Sequence, residues 1–87
     1  MARLSPTEQS IIEVLADAES AGAILTLEAL YAVVCARRMV RPTVTQTKAL
    51  RRSVERLARL RYLSGDGPLV RPHQLALEYE FERRARL

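Results

Sequence analysis

Tryptophan is absent from this 87-residue chain, phenylalanine occurs once, and aromatics make up only 5% of it. A core must therefore come from Leu, Val, Ile and Ala. The single cysteine, Cys35, excludes an internal disulfide and fits a reducing compartment. Next to Val34 on an apolar helical stripe, it reads as a small core residue. One histidine, His73, with one cysteine leaves no ligand set of zinc-site spacing, so no metal is expected. The three glycines, Gly22, Gly65 and Gly67, form no glycine-rich phosphate loop. There is no Gly-x-Ser-x-Gly elbow, and a triad would need Ser64, Asp66 and His73 to converge from one loop. No apolar run reaches the roughly 18 residues of a membrane span. A leader pattern is missing as well, because Glu8, Glu13 and Asp17 interrupt the first apolar positions. The expectation is a cytoplasmic protein that is no enzyme and carries no cofactor.

What the chain does have is charge, and the charge is segregated. Its 14 basic and 10 acidic residues leave a net +4. Residues 1–36 hold Arg3 against Glu8, Glu13, Asp17, Glu19 and Glu28, a local −4. Residues 37–61 hold nine basic residues against Glu55, a local +8, and residues 62–87 balance at four against four. Such a basic segment is either a polyanion-binding surface or a solvated helix face. With 48% hydrophobic residues, the length suits a single domain over 1–87.

Local signals place the elements. Ser5-Pro6-Thr7-Glu8 is a capping box with proline at the first helical position, and Ile11, Ile12, Leu15 and Ala18 recur at helical spacing. Gly22 is a natural stop, so helix one should cover about 6–20. Thr26 caps a second helix over about 27–39, with Leu27, Leu30, Tyr31 and Val34 as its buried stripe. Pro42 ends it. Thr43-Val44-Thr45-Gln46 reads as a second capping box, opening a helix over about 44–61. On that helix Thr47, Leu50, Val54, Leu57 and Ala58 fall on one face. Thr45, Lys48, Ala49, Arg52, Arg56 and Arg59 fall on the other.

Beyond it the period changes. Leu75, Leu77, Tyr79 and Phe81 alternate with Ala76, Glu78, Glu80 and Glu82, which reads as a half-buried strand with a carboxylate face to solvent. This strand should close a hairpin within about 62–82. Its partner is either Tyr62-Leu63-Ser64 across a long loop or Leu69-Val70-Arg71 across a tight turn at Pro72-His73-Gln74. Residues 83–87 read as a frayed end or a partner contact.

Leu4-Ser5-Pro6-Thr7-Glu8 with Ile11, Ile12 and Leu15, then Leu25-Thr26-Leu27-Glu28-Ala29-Leu30, carry a recognisable order of elements. So does the segment from Thr43 that closes with Leu57-Ala58-Arg59-Leu60-Arg61-Tyr62-Leu63. Together they resemble the winged helix-turn-helix DNA-binding domains. The resemblance implies a mainly α fold of three helices with a small β-hairpin as the wing. It also implies double-stranded DNA as partner, a homodimer, and a role as a small transcriptional repressor or regulator, nucleoid-associated in the cell. The chain departs from the pattern in its Arg-rich, proline-bearing turn at 37–42. Its wing offers only Arg71 and His73 to a phosphate.

On this reading helix 44–61 enters the major groove, and its N-terminal half reaches base edges. Gln46 would bond adenine, Lys48 and Arg52 guanine, and Thr45 and Ala49 would meet base edges or a thymine methyl. Arg56, Arg59 and Arg71 would run along phosphates, and Thr43 at the helix start would hold another. Arg37, Arg38 and Arg41 would clamp the opposite backbone. The alternative is a protein–protein interaction module on the same fold within a larger assembly. RNA binding would want stacking aromatics on the basic surface. The tyrosines and Phe81 instead read as core or wing residues.

Overall fold

The structure, a computed structural model, describes residues 3–66 and 68–87. Among these residues the architecture is mainly helical, with four helices and a small three-stranded antiparallel sheet. Helix α1 spans Pro6–Ser20. Both arms of its capping box are present: Ser5 Oγ accepts the Glu8 N–H at 3.2 Å, and Glu8 Oε1 accepts the Ser5 N–H at 2.8 Å. Strand β1, Leu25–Thr26, leads into α2, Leu27–Arg38, where Thr26 Oγ1 accepts the Ala29 N–H. Helix α3 spans Val44–Arg59. Thr43 Oγ1 accepts the Gln46 N–H at 3.1 Å, while the Thr43 N–H goes to the Arg41 carbonyl. The reciprocal arm expected from the Gln46 side chain is therefore replaced by a backbone bond within the turn.

Helices α1, α2 and α3 stop in the same way, with one left-handed residue after each. Gly22 has φ 71°, Met39 φ 56° and Arg61 φ 66°. After α3 the Tyr62 N–H reaches back to the Leu57 carbonyl and the Arg61 N–H to Ala58, and Val40 and Met39 repeat this at Cys35 and Ala36. A side chain in this conformation costs about 1–2 kcal/mol, which glycine avoids at some cost in unfolded-state entropy. Arg61→Gly should therefore raise stability by about 0.5–1 kcal/mol, read as a higher midpoint in thermal or urea unfolding. An unchanged or lower midpoint would show that the Arg61 side chain compensates its backbone.

The expected hairpin needs correction. Strand β2, Leu63–Asp66, pairs with β3, Leu69–Pro72, with Leu63 opposite Pro72 and Ser64 opposite Arg71. Neither anticipated pairing forms, and Gly67 lies outside the described residues. Strand β1 joins the other edge of β3, giving the order β1-β3-β2. A two-residue strand shows no period, so its sequence could not reveal it.

Residues 75–82 form no strand. They belong to α4, Gln74–Ala85, which also orders most of the tail. The segment is rich in the helix formers Gln, Leu, Ala, Glu and Arg. Its buried positions are Ala76 and Glu80, at helical spacing, with Tyr79 half-buried beside them. Phe81 is 76% exposed, whereas a strand would have buried it with Leu77 and Tyr79. The three glutamates accordingly do not share a solvent face: Glu78 and Glu82 are exposed and Glu80 is 2% exposed.

Helix α1 is the hub, packing against α2, α3, α4 and β3. Ile11, Ile12 and Leu15 meet Leu30 and Val34 of α2 and Leu50 and Leu57 of α3 in one core, and Cys35 is buried within it. Tyr62 and Tyr79 meet edge to face at 6.0 Å between ring centres. Among the described residues no helix is long and apolar enough to cross a membrane.

Candidate functional site

Helix α3 turns by about 100° per residue, so Leu50, Val54 and Leu57 face the core and the opposite face is fixed. Thr45, Lys48, Arg52 and Arg59 lie along that opposite face and all are exposed. Ala49 is exposed beside the line. Gln46 is half-buried on the inner edge of α3, about 160° round from Lys48, so it stands apart from the residues it was expected to join.

Two of the expected contact residues are engaged inside the molecule. Arg56 Nη1 donates to both oxygens of Glu8, at 2.5 and 2.6 Å, and its Nη2 reaches the Arg3 carbonyl. Arg37 donates to Glu13 at 3.1 Å and pairs with Asp17 at 2.9 Å. Arg38 and Arg41 are exposed in and beside the turn 39–43, and Thr43 uses its hydroxyl oxygen to cap α3. Arg71 is exposed on β3. The hairpin tip is tied down, because the Pro68 carbonyl accepts the Leu27 N–H at the start of α2. Arg71 thus sits on a short, fixed hairpin.

Three of the acids are engaged with arginines of α2 and α4 rather than of α3. Glu13 and Asp17 of α1 meet Arg37 of α2 and Arg83 and Arg84 of α4, and both α4 arginines also hold the buried Glu80. Burial opposes ionisation of Glu80, but the hydrogen bonds from Arg83 and Arg84 outweigh it and hold its carboxyl below the ordinary value. Burial likewise opposes ionisation of Glu8, and bonds from the Ser5 N–H and Arg56 outweigh it there. Asp17 is lowered chiefly by its hydrogen bond from Arg84, with Arg37 adding to it against a smaller effect of burial.

Nine basic residues lie in 37–61, and removing Arg37 and Arg56 leaves seven. Among the described residues these seven, Arg38, Arg41, Lys48, Arg51, Arg52, Arg59 and Arg61, enter no ion pair and face Glu55 alone on α3. Arg51 and Arg61 were missed as candidates. Arg51 lies on the flank of α3, off the face that periodicity selected, and Arg61 lies just past the helix end. Their charge was the only signal available.

Such a surface can hold a polyanion. It presents a line of donors on a rigid helix, cations on both flanks, and an exposed apolar residue, Val44, at the helix start. No family model, curated protein or solved structure matches this chain.

Proposed function

We propose that this protein is a winged helix-turn-helix DNA-binding protein, a small transcriptional repressor or regulator that places α3 in the major groove of duplex DNA. The observation that carries this reading is the row Thr45, Lys48, Arg52 and Arg59 on the exposed face of α3, left unpaired by the internal ion pairs. The order of elements supports it: α2, the turn 39–43, α3 and then an antiparallel hairpin. At 16 residues α3 is about 24 Å long, enough to lie along a groove roughly 12 Å wide. Val44 and Ala49 suit thymine methyl groups, while Lys48 and Arg52 neutralise phosphates on any duplex and suit guanine where the sequence offers one. Arg38, Arg41, Arg51 and Arg59 serve phosphates. Arg71 adds one more, and the tied hairpin limits what else the wing contributes. Tyr31, Tyr62 and Tyr79 pack in or against the core, so single-stranded stacking has little support.

The test is fluorescence anisotropy with random-sequence duplex DNA over a salt series. With four to seven phosphates neutralised, log K should fall against log salt with a slope of about −4 to −6. Negligible binding at low salt would sink the reading.

A protein contact is a second reading with its own observation. Phe81, the one phenylalanine, is 76% exposed on α4, a helix that packs on α1. An exposed aromatic anchor for a protein partner, or for a second copy of the chain, is therefore found on α4 rather than on α3. Light scattering should give a dimer for the wild type and a monomer for Phe81→Ser. A monomeric wild type up to about 1 mM, the weak limit of useful affinity, would reject self-association.

A further inference from the structure

The side of α3 that turns toward α1 carries a second feature, a surface cleft of about 590 Å³ between the start of α1 and the middle of α3. Arg3, Arg52 and Arg56 line it, with the serines Ser5 and Ser53 and the carboxylate Glu8. Three arginines against one carboxylate give the lining a net +2. The carboxylate does not face outward: Glu8 is 3% exposed, and its oxygens are taken by Arg56 and the Ser5 N–H. Ser5 Oγ accepts the Glu8 N–H, which leaves its own O–H to donate. The first turn of α1, with proline at its first position, adds its positive end to the same cleft.

The position of the cleft gives these groups a task. A helix about 10–12 Å across fills a groove about 12 Å wide, so the groove walls, which are phosphate backbone, meet the flanks of the helix. Ser53 lies about 100° round α3 from Arg52, and Arg51 about 100° the other way. Arg51 therefore meets one wall, and the cleft meets the other.

We propose that this cleft binds a backbone phosphate of the DNA strand that runs along the α1 side of α3. Arg3 and Arg52 close on the phosphate oxygens, and the Ser5 and Ser53 hydroxyls donate to them. Arg56 shapes the floor through Glu8 and contributes its charge. Neither Arg3 nor Ser53 belongs to the exposed face of α3, so this contact extends the interface onto a second element. The proposal rests on the DNA-binding reading.

Three variants test it, each measured by anisotropy with random duplex over a salt series. Arg3 is exposed and only its carbonyl is used internally, so Arg3→Ala leaves the fold intact. It should lower affinity about eightfold near 0.1 M salt and reduce the slope by about 0.9. Ser53→Glu places a carboxylate in the cleft and should cost about tenfold or more. Arg86→Ala removes the same charge just past the end of α4, where Arg86 meets only Glu82 at 3.8 Å, and should leave affinity and slope unchanged. If the wild type binds steeply and Arg3→Ala matches Arg86→Ala, the cleft proposal fails while the DNA reading stands. If the wild type does not bind duplex DNA, both fall together. Sodium phosphate without DNA, followed on the Thr7 and Ser53 amide signals, separates a free anion from the DNA backbone. Little shift at millimolar phosphate supports the backbone, whereas saturation there with Arg3→Ala binding DNA normally assigns the cleft to free phosphate and overturns the proposal.

Discussion

Alanine at Lys48, Arg52 and Arg59 together is expected to weaken binding to random duplex DNA by about 10²–10³-fold near 0.1 M salt and to flatten the salt slope by about 3. The magnitude follows from counterion release. Each neutralised phosphate contributes about 0.9 to the slope, and so roughly eightfold in affinity at that salt. The three residues are exposed and enter no ion pair among the described residues, so their loss should leave the unfolding midpoint within about 0.5 kcal/mol of wild type. Arg56→Ala must behave differently. Its guanidinium neutralises a carboxylate that is 3% exposed, so this variant should lose stability whether or not DNA is present. A triple variant that binds as the wild type does would remove α3 from the interface. An Arg56 variant of unchanged stability but weaker binding would return Arg56 to the phosphates.

The largest effect on stability is expected at Glu80. Its carboxylate accepts from Arg83 Nη2 at 2.6 Å and from Arg84 Nε at 2.9 Å, and Arg84 then reaches Asp17 at 2.7 Å. These bonds fasten α4 to α1 across a cluster that also holds Arg37 of α2. Removing one partner of a buried pair costs about 3–5 kcal/mol. Here both arginines are a third to a half exposed, so water screens part of that cost. A loss of about 2–3 kcal/mol is the expected result for Glu80→Ala, a large share of the roughly 5–10 kcal/mol of a domain this size. Thermal unfolding should show it as a drop of about 8–20 °C. A change below about 0.5 kcal/mol would mean that Arg83 and Arg84 are satisfied by Glu13 and Asp17 alone.

The same carboxylates set the acid limit of the fold. Glu8, Asp17 and Glu80 are each held below their ordinary values of 4.5, 3.8 and 4.5 in the folded protein. As pH falls, the unfolded chain takes up these protons first, so folding loses free energy. The stabilisation is complete above the unfolded values and disappears as pH passes down through the folded ones. The unfolding midpoint should therefore be level from pH 7 to about 5.5 and fall below about pH 4.5, with a shallower fall in Glu80→Ala. A midpoint that stays level to about pH 3 would contradict the three lowered values.

The starts of α1, α2 and α3 were legible in the chain because they are decided within four residues; α4, whose His73 makes no side-chain cap bond, gave no such signal. Ser5 with Glu8 makes the whole expected box, Thr26 caps Ala29, and Thr43 caps Gln46 without the reciprocal arm. The buried positions Ile11, Ile12 and Leu15, Leu30 and Val34, and Leu50, Val54 and Leu57 follow from the helical period, whereas Ala58, read on the same stripe, is exposed and Leu27, Tyr31 and Thr47 are half-buried. Thr45, Lys48, Arg52 and Arg59 needed no tertiary knowledge.

What lay beyond the sequence depends on partners far along the chain. Arg56 is held against α1 by the buried Glu8, 48 residues away, and Arg37 is paired at the surface with Glu13, 24 residues away. No local pattern separates these two arginines from Arg52 and Arg38, because charge is visible in a sequence and its pairing is not. The segment 75–82 was ambiguous for the same reason. Its apolar alternation suits a strand, yet Tyr79 and Glu80 also recur three and four residues after Ala76. Docking of that edge on α1, with Arg83 and Arg84 closing over Glu80, decides for the helix. Once those residues are helical, β2 and β3 are left to pair with each other, and β1 finds the open edge of β3. Local hydrogen bonds and periodicity belong to the sequence alone. The choice among equivalent cations and between two compatible periods belongs to the packed molecule, where burial makes each unpaired charge costly.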